Sequence, residues 1–130
     1  MALPTFVAGA SAGSATAADL TITKPTGTAA DDVMLACLYR ESTAAITPPT
    51  GWTQVTTFDQ DTGGFKYRMN IYWLRAGGSE PANYTWTFTS TWRTGVIMTL
   101  RGAETSGDPW DTFLSAIQAQ NDAPTVGSIT

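Results

Sequence analysis

Residues Tyr84-Thr85-Trp86-Thr87-Phe88-Thr89 alternate an aromatic side chain with a threonine without exception. A period of two held over six residues belongs to a strand with one face on a core and the other in water. The pattern recurs. Leu20 and Ile22 alternate with Thr21 and Thr23, and Tyr67, Met69, Ile71 and Trp73 share one face of a run whose other face carries Arg68, Asn70 and Tyr72. Val33 to Tyr39 is apolar on both faces, as a central strand is. Trp52 to Phe58 and Gly95 to Leu100 read as further strands. Between these segments stand turn signals: Lys24-Pro25-Thr26-Gly27, Thr47-Pro48-Pro49-Thr50-Gly51, Asp59 to Gly64 and Ala76 to Pro81. Threonine, the commonest residue at 23 of 130, suits the pleated, half-buried surface this pattern demands. The expectation is an all-β chain, an antiparallel β-sandwich of jelly-roll-like or immunoglobulin-like type. It is left incomplete at the C-terminus, where Val126-Gly127-Ser128-Ile129-Thr130 opens an alternation that barely begins.

A chain of 130 residues fits one domain. Within it, residues 9–18 are small and featureless and read as a loop or extended arm. Residues 1–18 are therefore expected to form an N-terminal arm or first strand that makes assembly contacts, and residues 19–130 the β-sandwich. Pro4 and Gly9 interrupt any apolar stretch near the start, and the first basic residue is Lys24, so a secretory signal is not expected. Phe113 to Ala119 suits either a short strand or one helical stretch.

Several kinds of chemistry are excluded by composition. Seven Lys and Arg against 11 Asp and Glu leave a net charge of −4, with no basic patch to neutralise phosphates, so no nucleic-acid partner is expected. No apolar run approaches the roughly 20 residues that span a bilayer, and no membrane partner is expected. Without histidine and with one cysteine, the chain offers no zinc site of the usual Cys/His type and no Ser-His-Asp or Cys-His nucleophile. Neither a cofactor, a metal nor a catalytic residue is expected. Cys37, inside an apolar run, reads as a small buried hydrophobe.

The remaining candidates carry weaker signals. Asp59-Gln60-Asp61-Thr62-Gly63 alternates carboxylates as a calcium loop does, but the twelfth position, where an EF-hand needs a bidentate Glu, is Asn70; a hairpin loop is the better reading. Asp31-Asp32 reads as a solvated turn, since neighbours on a strand face opposite ways and cannot share a substrate. Of the five tryptophans, Trp52, Trp73 and Trp86 are assigned to the core. Trp92 and Trp110, in polar settings, are expected to be partly exposed.

Five phrases in order carry a resemblance. Asp32-Val33-Met34-Leu35-Ala36 resembles a strand opener, Ile46 to Thr53 a Pro-Pro-x-Gly-Trp-Thr turn, and Tyr72 to Ala76, Glu80 to Trp86 and Leu100 to Glu104 the next landmarks of a β-sandwich domain met in virion proteins of tailed bacteriophages and prophages. The match spans residues 20–112. Asp31 stands where that family usually has glycine, and the family usually continues past the point where this sequence stops.

The resemblance implies a non-enzymatic virion structural protein, a capsid-decorating, head-fibre or tail-fibre component made in the host cytoplasm. Its implied partners are other virion proteins and further copies of itself, with a trimer favoured. Phe6, Val7, Trp92 and Trp110 are the expected assembly contacts. The rival reading is a carbohydrate- or host-receptor-binding module, in which Trp92 and Trp110, flanked by Asp108 and Asp111, stack on a surface glycan.

Overall fold

The computed structural model describes residues 3–15, 19–62, 64–89 and 92–109. Seven strands are present among them: β1 (Thr5–Ser14), β2 (Asp19–Thr23), β3 (Val33–Arg40), β4 (Thr53–Thr62), β5 (Phe65–Arg75), β6 (Asn83–Thr87) and β7 (Arg93–Arg101). They form a five-stranded sheet in the order β1-β7-β3-β5-β4 and a two-stranded sheet of β2 and β6, with every pairing antiparallel. The two sheets pack together over one core, the all-β arrangement that the alternating segments demand.

The core is built where the two inner faces meet. Met34, Ala36 and Leu38 of β3, Tyr72 of β5 and Ile97 of β7 meet Leu20 and Ile22 of β2 and Tyr84 and Trp86 of β6. Gly95 on β7 permits the approach. A Cβ there would lie 2.5 Å from Leu38 Cδ1 and 2.9 Å from Ile22 Cδ1, so any side chain at that point would force these core side chains to shift. The connection after β3 joins the small sheet by a bridge in which Thr47 and Thr87 exchange backbone hydrogen bonds of 3.0 Å each way.

Four expectations are corrected here. The loop or extended arm read at residues 9–18 is strand as far as Ser14: residues 5–14 form an edge strand, the first-strand alternative for this segment, in register with β7 and irregular only between Phe6 and Ala8. Ala10 and Ala12 pack on the core, and their small size lets β1 lie close beneath β2. The hairpin loop expected at Asp59 to Gly64 is shorter, because β4 runs on to Thr62 and its last residues pair with β5. Trp73 does not join the core. Asn70 and Tyr72 face inward on β5, while Met69, Ile71 and Trp73 are half-buried on the outer face. Cys37 is likewise partly exposed on the outer face rather than fully buried, and burial pushes its thiol pKa up.

Asp31 and Asp32 part company. Asp31 has φ +67°, the left-handed region that favours glycine, and is exposed in a turn, as expected. Asp32 is buried, against expectation. Arg101 donates from Nε and Nη2 to its two carboxylate oxygens at 2.9 and 2.8 Å, and the Ala29 N–H donates at 2.8 Å. The bonds from Arg101 hold the Asp32 carboxyl below the usual range, outweighing its burial, with the Ala29 N–H and the Arg101 charge adding to the effect. A depressed folded pKa contributes stability that is present above the unfolded value, near 3.9, and lost as pH falls through the folded value. Asp59, held low by Arg68, acts in the same direction. Unfolding free energy should therefore decline below about pH 4, and Asp32→Asn should flatten that decline without abolishing it, as read from urea midpoints between pH 2 and 7.

Candidate functional site

One end of the large sheet gathers exposed aromatic side chains. β3 ends there, β7 begins there, and the β4–β5 hairpin turns there. In register, Tyr39 lies opposite Met69 on one side and Thr94 on the other, and the Glu41 N–H donates to Trp92 O at 3.0 Å. Alternation from these pairs sends Tyr39, Glu41, Tyr67 and Trp92 to the outer face and Arg40 and Arg93 to the inner one. Tyr39, Glu41, Gly64, Phe65, Lys66 and Tyr67 line a groove of about 380 Å³. The Tyr39 and Tyr67 rings lie 6.0 Å apart, tilted by 35°. Phe65 and Tyr67 are 76% and 40% exposed, and Trp92, beside Glu41, is 63% exposed, far above what core aromatics show.

The polar groups of this groove are few. Lys66 Nζ is held by Asp61 at 2.8 Å. Burial first, then the charges of Glu41 and Tyr67, push the Tyr39 hydroxyl pKa up, so it remains a neutral donor at physiological pH. Glu41 is the one carboxylate in the lining among the described residues. The lining offers apolar ring faces with the Tyr39 and Tyr67 hydroxyls and the Glu41 carboxylate beside them.

Beneath it, three guanidiniums stand in a row across adjacent strands, with Arg40 between Arg93 on β7 and Arg68 on β5. Arg68 forks onto Asp59 with two bonds of 2.6 Å. Arg40 is fully buried and is bound instead by oxygen acceptors of two loops, Ala44 O, Ala45 O, Thr89 O and Thr89 Oγ1. Its guanidinium carbon and that of Arg93 lie 5.8 and 5.5 Å from the Phe88 ring centroid. Desolvation, then the charges of Arg68 and Arg93, lower the Arg40 pKa. Asp59 and Asp61, considered above for a cation loop, sit on β4 with their carboxylates on Arg68 and Lys66, and no group of three potential metal ligands occurs among the described residues.

The expected contact residues are dispersed. Phe6, 67% exposed, pairs with Leu100 at one end of β7, and Trp92 lies just before the other. Val7 is half-buried at the β1 irregularity, against the Gly27 turn. Trp110 and Asp111 lie outside the described residues, and Asp108 is exposed. The aromatic trio of Tyr39, Phe65 and Tyr67 escaped the sequence reading, because only the β3–β5 pairing unites it. Its one linear trace is Phe65-Lys66-Tyr67 directly after the Gly63-Gly64 turn.

The two large-sheet edges differ. The β4 edge presents Asp59 and Asp61, whereas β1 carries no charged residue from Thr5 to Ser14 and presents Phe6, with Leu3 87% exposed just before it. Among the described residues, these features make a two-sheet antiparallel β protein with exposed aromatic side chains at one end of the large sheet and an uncharged β1 edge. No family model, no curated protein and no solved structure matches the chain.

Proposed function

We propose that this chain is a non-enzymatic structural protein of a bacteriophage virion, a capsid-decorating, head-fibre or tail-fibre component of jelly-roll-like or immunoglobulin-like design. It acts through contacts with copies of itself and with other virion proteins. The resemblance of five ordered sequence phrases supports the virion assignment. The observation that carries the assembly reading is the β1 edge. Monomeric proteins blunt open edges with charge, proline or bulges. β4 follows that rule and β1, uncharged over its ten residues, follows it only through the irregularity beside Phe6. An edge of this kind accepts a strand of another subunit, with Phe6 and Val7 at its start.

Because β1 is part of the sheet, deleting it would damage the fold, and a point charge is the cleaner probe. Ser11 is exposed in mid-strand. Light scattering should give a trimer or larger closed assembly for the native chain and a monomer for Ser11→Lys. A native chain that is monomeric throughout overturns the assembly reading.

The aromatic groove favours a second reading, recognition of a surface glycan or glycosylated host receptor. There Tyr39, Tyr67 and Phe65 supply stacking faces, and Glu41 and Lys66 supply hydrogen bonds to hydroxyls. Tyr67→Ala should then weaken binding on a glycan array roughly tenfold, the worth of one aromatic contact of about 1.4 kcal/mol, while leaving the oligomeric mass unchanged.

A further inference from the structure

The groove between the end of β3 and the β4–β5 hairpin is electron-rich. The rings of Tyr39, Phe65 and Tyr67, whose π faces are negative, line it together with the Glu41 carboxylate. Glu41 is exposed, and its carboxylate has no ion-pair partner among the described residues. Trp92, whose carbonyl accepts the Glu41 N–H, adds an exposed indole beside it.

The positive charges at this end of the sheet are engaged elsewhere. Lys66, the one cation of the lining, has its ammonium on Asp61 at 2.8 Å. Arg40, Arg68 and Arg93, in register across three strands, alternate to the inner face. There Arg68 is held by Asp59, and Arg40 by the oxygens of two loops. The Tyr39 hydroxyl reports the local sign, because after burial the charges that push its pKa up are those of Glu41 and Tyr67. An anionic ligand meets like charge in such a groove. A neutral one desolvates Glu41 without compensating it. A cation gains from both the carboxylate and the rings.

We propose that the groove takes a glycan bearing an unacetylated amino sugar, with the sugar ring on Tyr67 and Tyr39 and its ammonium on Glu41, an assignment that rests on the glycan reading above and narrows it. A cation interacts with an aromatic face within about 6 Å of the ring centroid. The Tyr39 and Tyr67 centroids are 6.0 Å apart, so one ammonium can lie within that range of both rings. The volume of about 380 Å³ falls at the small end of ligand sites, which run from about 300 to 1,000 Å³, and suits a sugar residue. An exposed ion pair and an exposed cation–π contact are each weak, and together they amount to about a tenfold preference for the amine.

Calorimetric titration of the full chain with a glucosamine tetrasaccharide and its fully N-acetylated counterpart, at a pH that keeps the amine protonated, tests this. The expected result is about tenfold tighter binding of the glucosamine oligomer at low salt, with the gap narrowing as salt is raised. Glu41→Gln keeps the shape of the side chain and removes its charge. It should erase the gap while leaving binding of the acetylated oligomer and the urea midpoint unchanged, since Glu41 is exposed. Tyr67→Ala should weaken both oligomers alike. Equal binding of the two by the native chain, or a gap that survives Glu41→Gln, overturns the proposal and leaves the glycan reading standing. Tighter binding of a uronic-acid tetrasaccharide does the same. Binding of tetralysine as tight as that of the glucosamine oligomer assigns the groove to a basic peptide and overturns the amino-sugar ligand. If no saccharide binds, here or on a glycan array, this proposal and the glycan reading fall together.

Discussion

Replacing Trp86 with alanine is expected to lower the unfolding free energy by about 3–5 kcal/mol, the range for a fully buried large aromatic. A domain of this size has roughly 5–15 kcal/mol in total, so the urea midpoint should fall by a third or more at unchanged slope. Trp86 is 0% exposed, and its ring lies 5.2 Å from Trp52 and 6.3 Å from Tyr84. Trp52 meets Tyr84 edge-on at 5.1 Å, closing a three-ring cluster. The cluster matters more than its area suggests, because a two-stranded sheet has little stability of its own. β2 and β6 hold their place by what Leu20, Ile22, Tyr84 and Trp86 bury. The indole N–H of Trp86 is buried without an acceptor among the described residues. Trp86→Phe removes that orphaned donor, whose desolvation costs about 1–3 kcal/mol, and keeps most of the ring contacts, so its loss should be well under half that of alanine. Trp92→Ala, at an exposed position, should stay within about 0.5 kcal/mol of native. Equal effects at positions 86 and 92 would refute this account of the core.

Legibility in the sequence follows the range of the forces involved. β2, β6, β3 and β7 were readable because local alternation or a continuous apolar run announces which residues a strand buries. β1 was legible only as one of two alternatives, an arm or a first strand, since Ala, Gly and Ser have weak strand preference; residues 5–14 are extended because β7 offers a partner some 79–96 positions away. The faces of β5 misled for a related reason. Met69, Ile71 and Trp73 look like the core side by polarity, yet Asn70 and Tyr72 face inward. Asn70 Nδ2 donates to Gln54 Oε1 and Thr57 Oγ1, and the Tyr72 hydroxyl donates to Ile46 O. A buried polar side chain is tolerated once its partners are in place, and those partners arrive from other elements. The candidate groove shares this origin. Tyr39 and Tyr67 are 28 positions apart and become neighbours only when β3 pairs with β5. Asp32 and Arg101 likewise meet across 69 positions.

Arg40 supplies the second large effect, and its two substitutions separate charge from geometry. A buried guanidinium is an expensive group to desolvate, and among the described residues it has no carboxylate hydrogen-bond partner. What compensates is shape. Nη1 donates to Ala44 O and Ala45 O, and Nη2 to Thr89 O and Oγ1, so one planar group ties the loop after β3 to the segment after β6. Bonds to a charged group are worth about 1.5–3 kcal/mol each, which places Arg40→Ala at a loss of at least about 3 kcal/mol after partial rehydration of the freed acceptors. Lysine preserves the charge, but a single ammonium on a flexible stem cannot reach both loops in the fork geometry. Arg40→Lys should therefore recover little, and amide exchange should accelerate at residues 43–47 before the β3–β7 ladder responds. If charge were what mattered, lysine would restore stability. If only volume mattered, Arg40→Met would match the native chain, and neither result is expected of a side chain held by four oxygen acceptors.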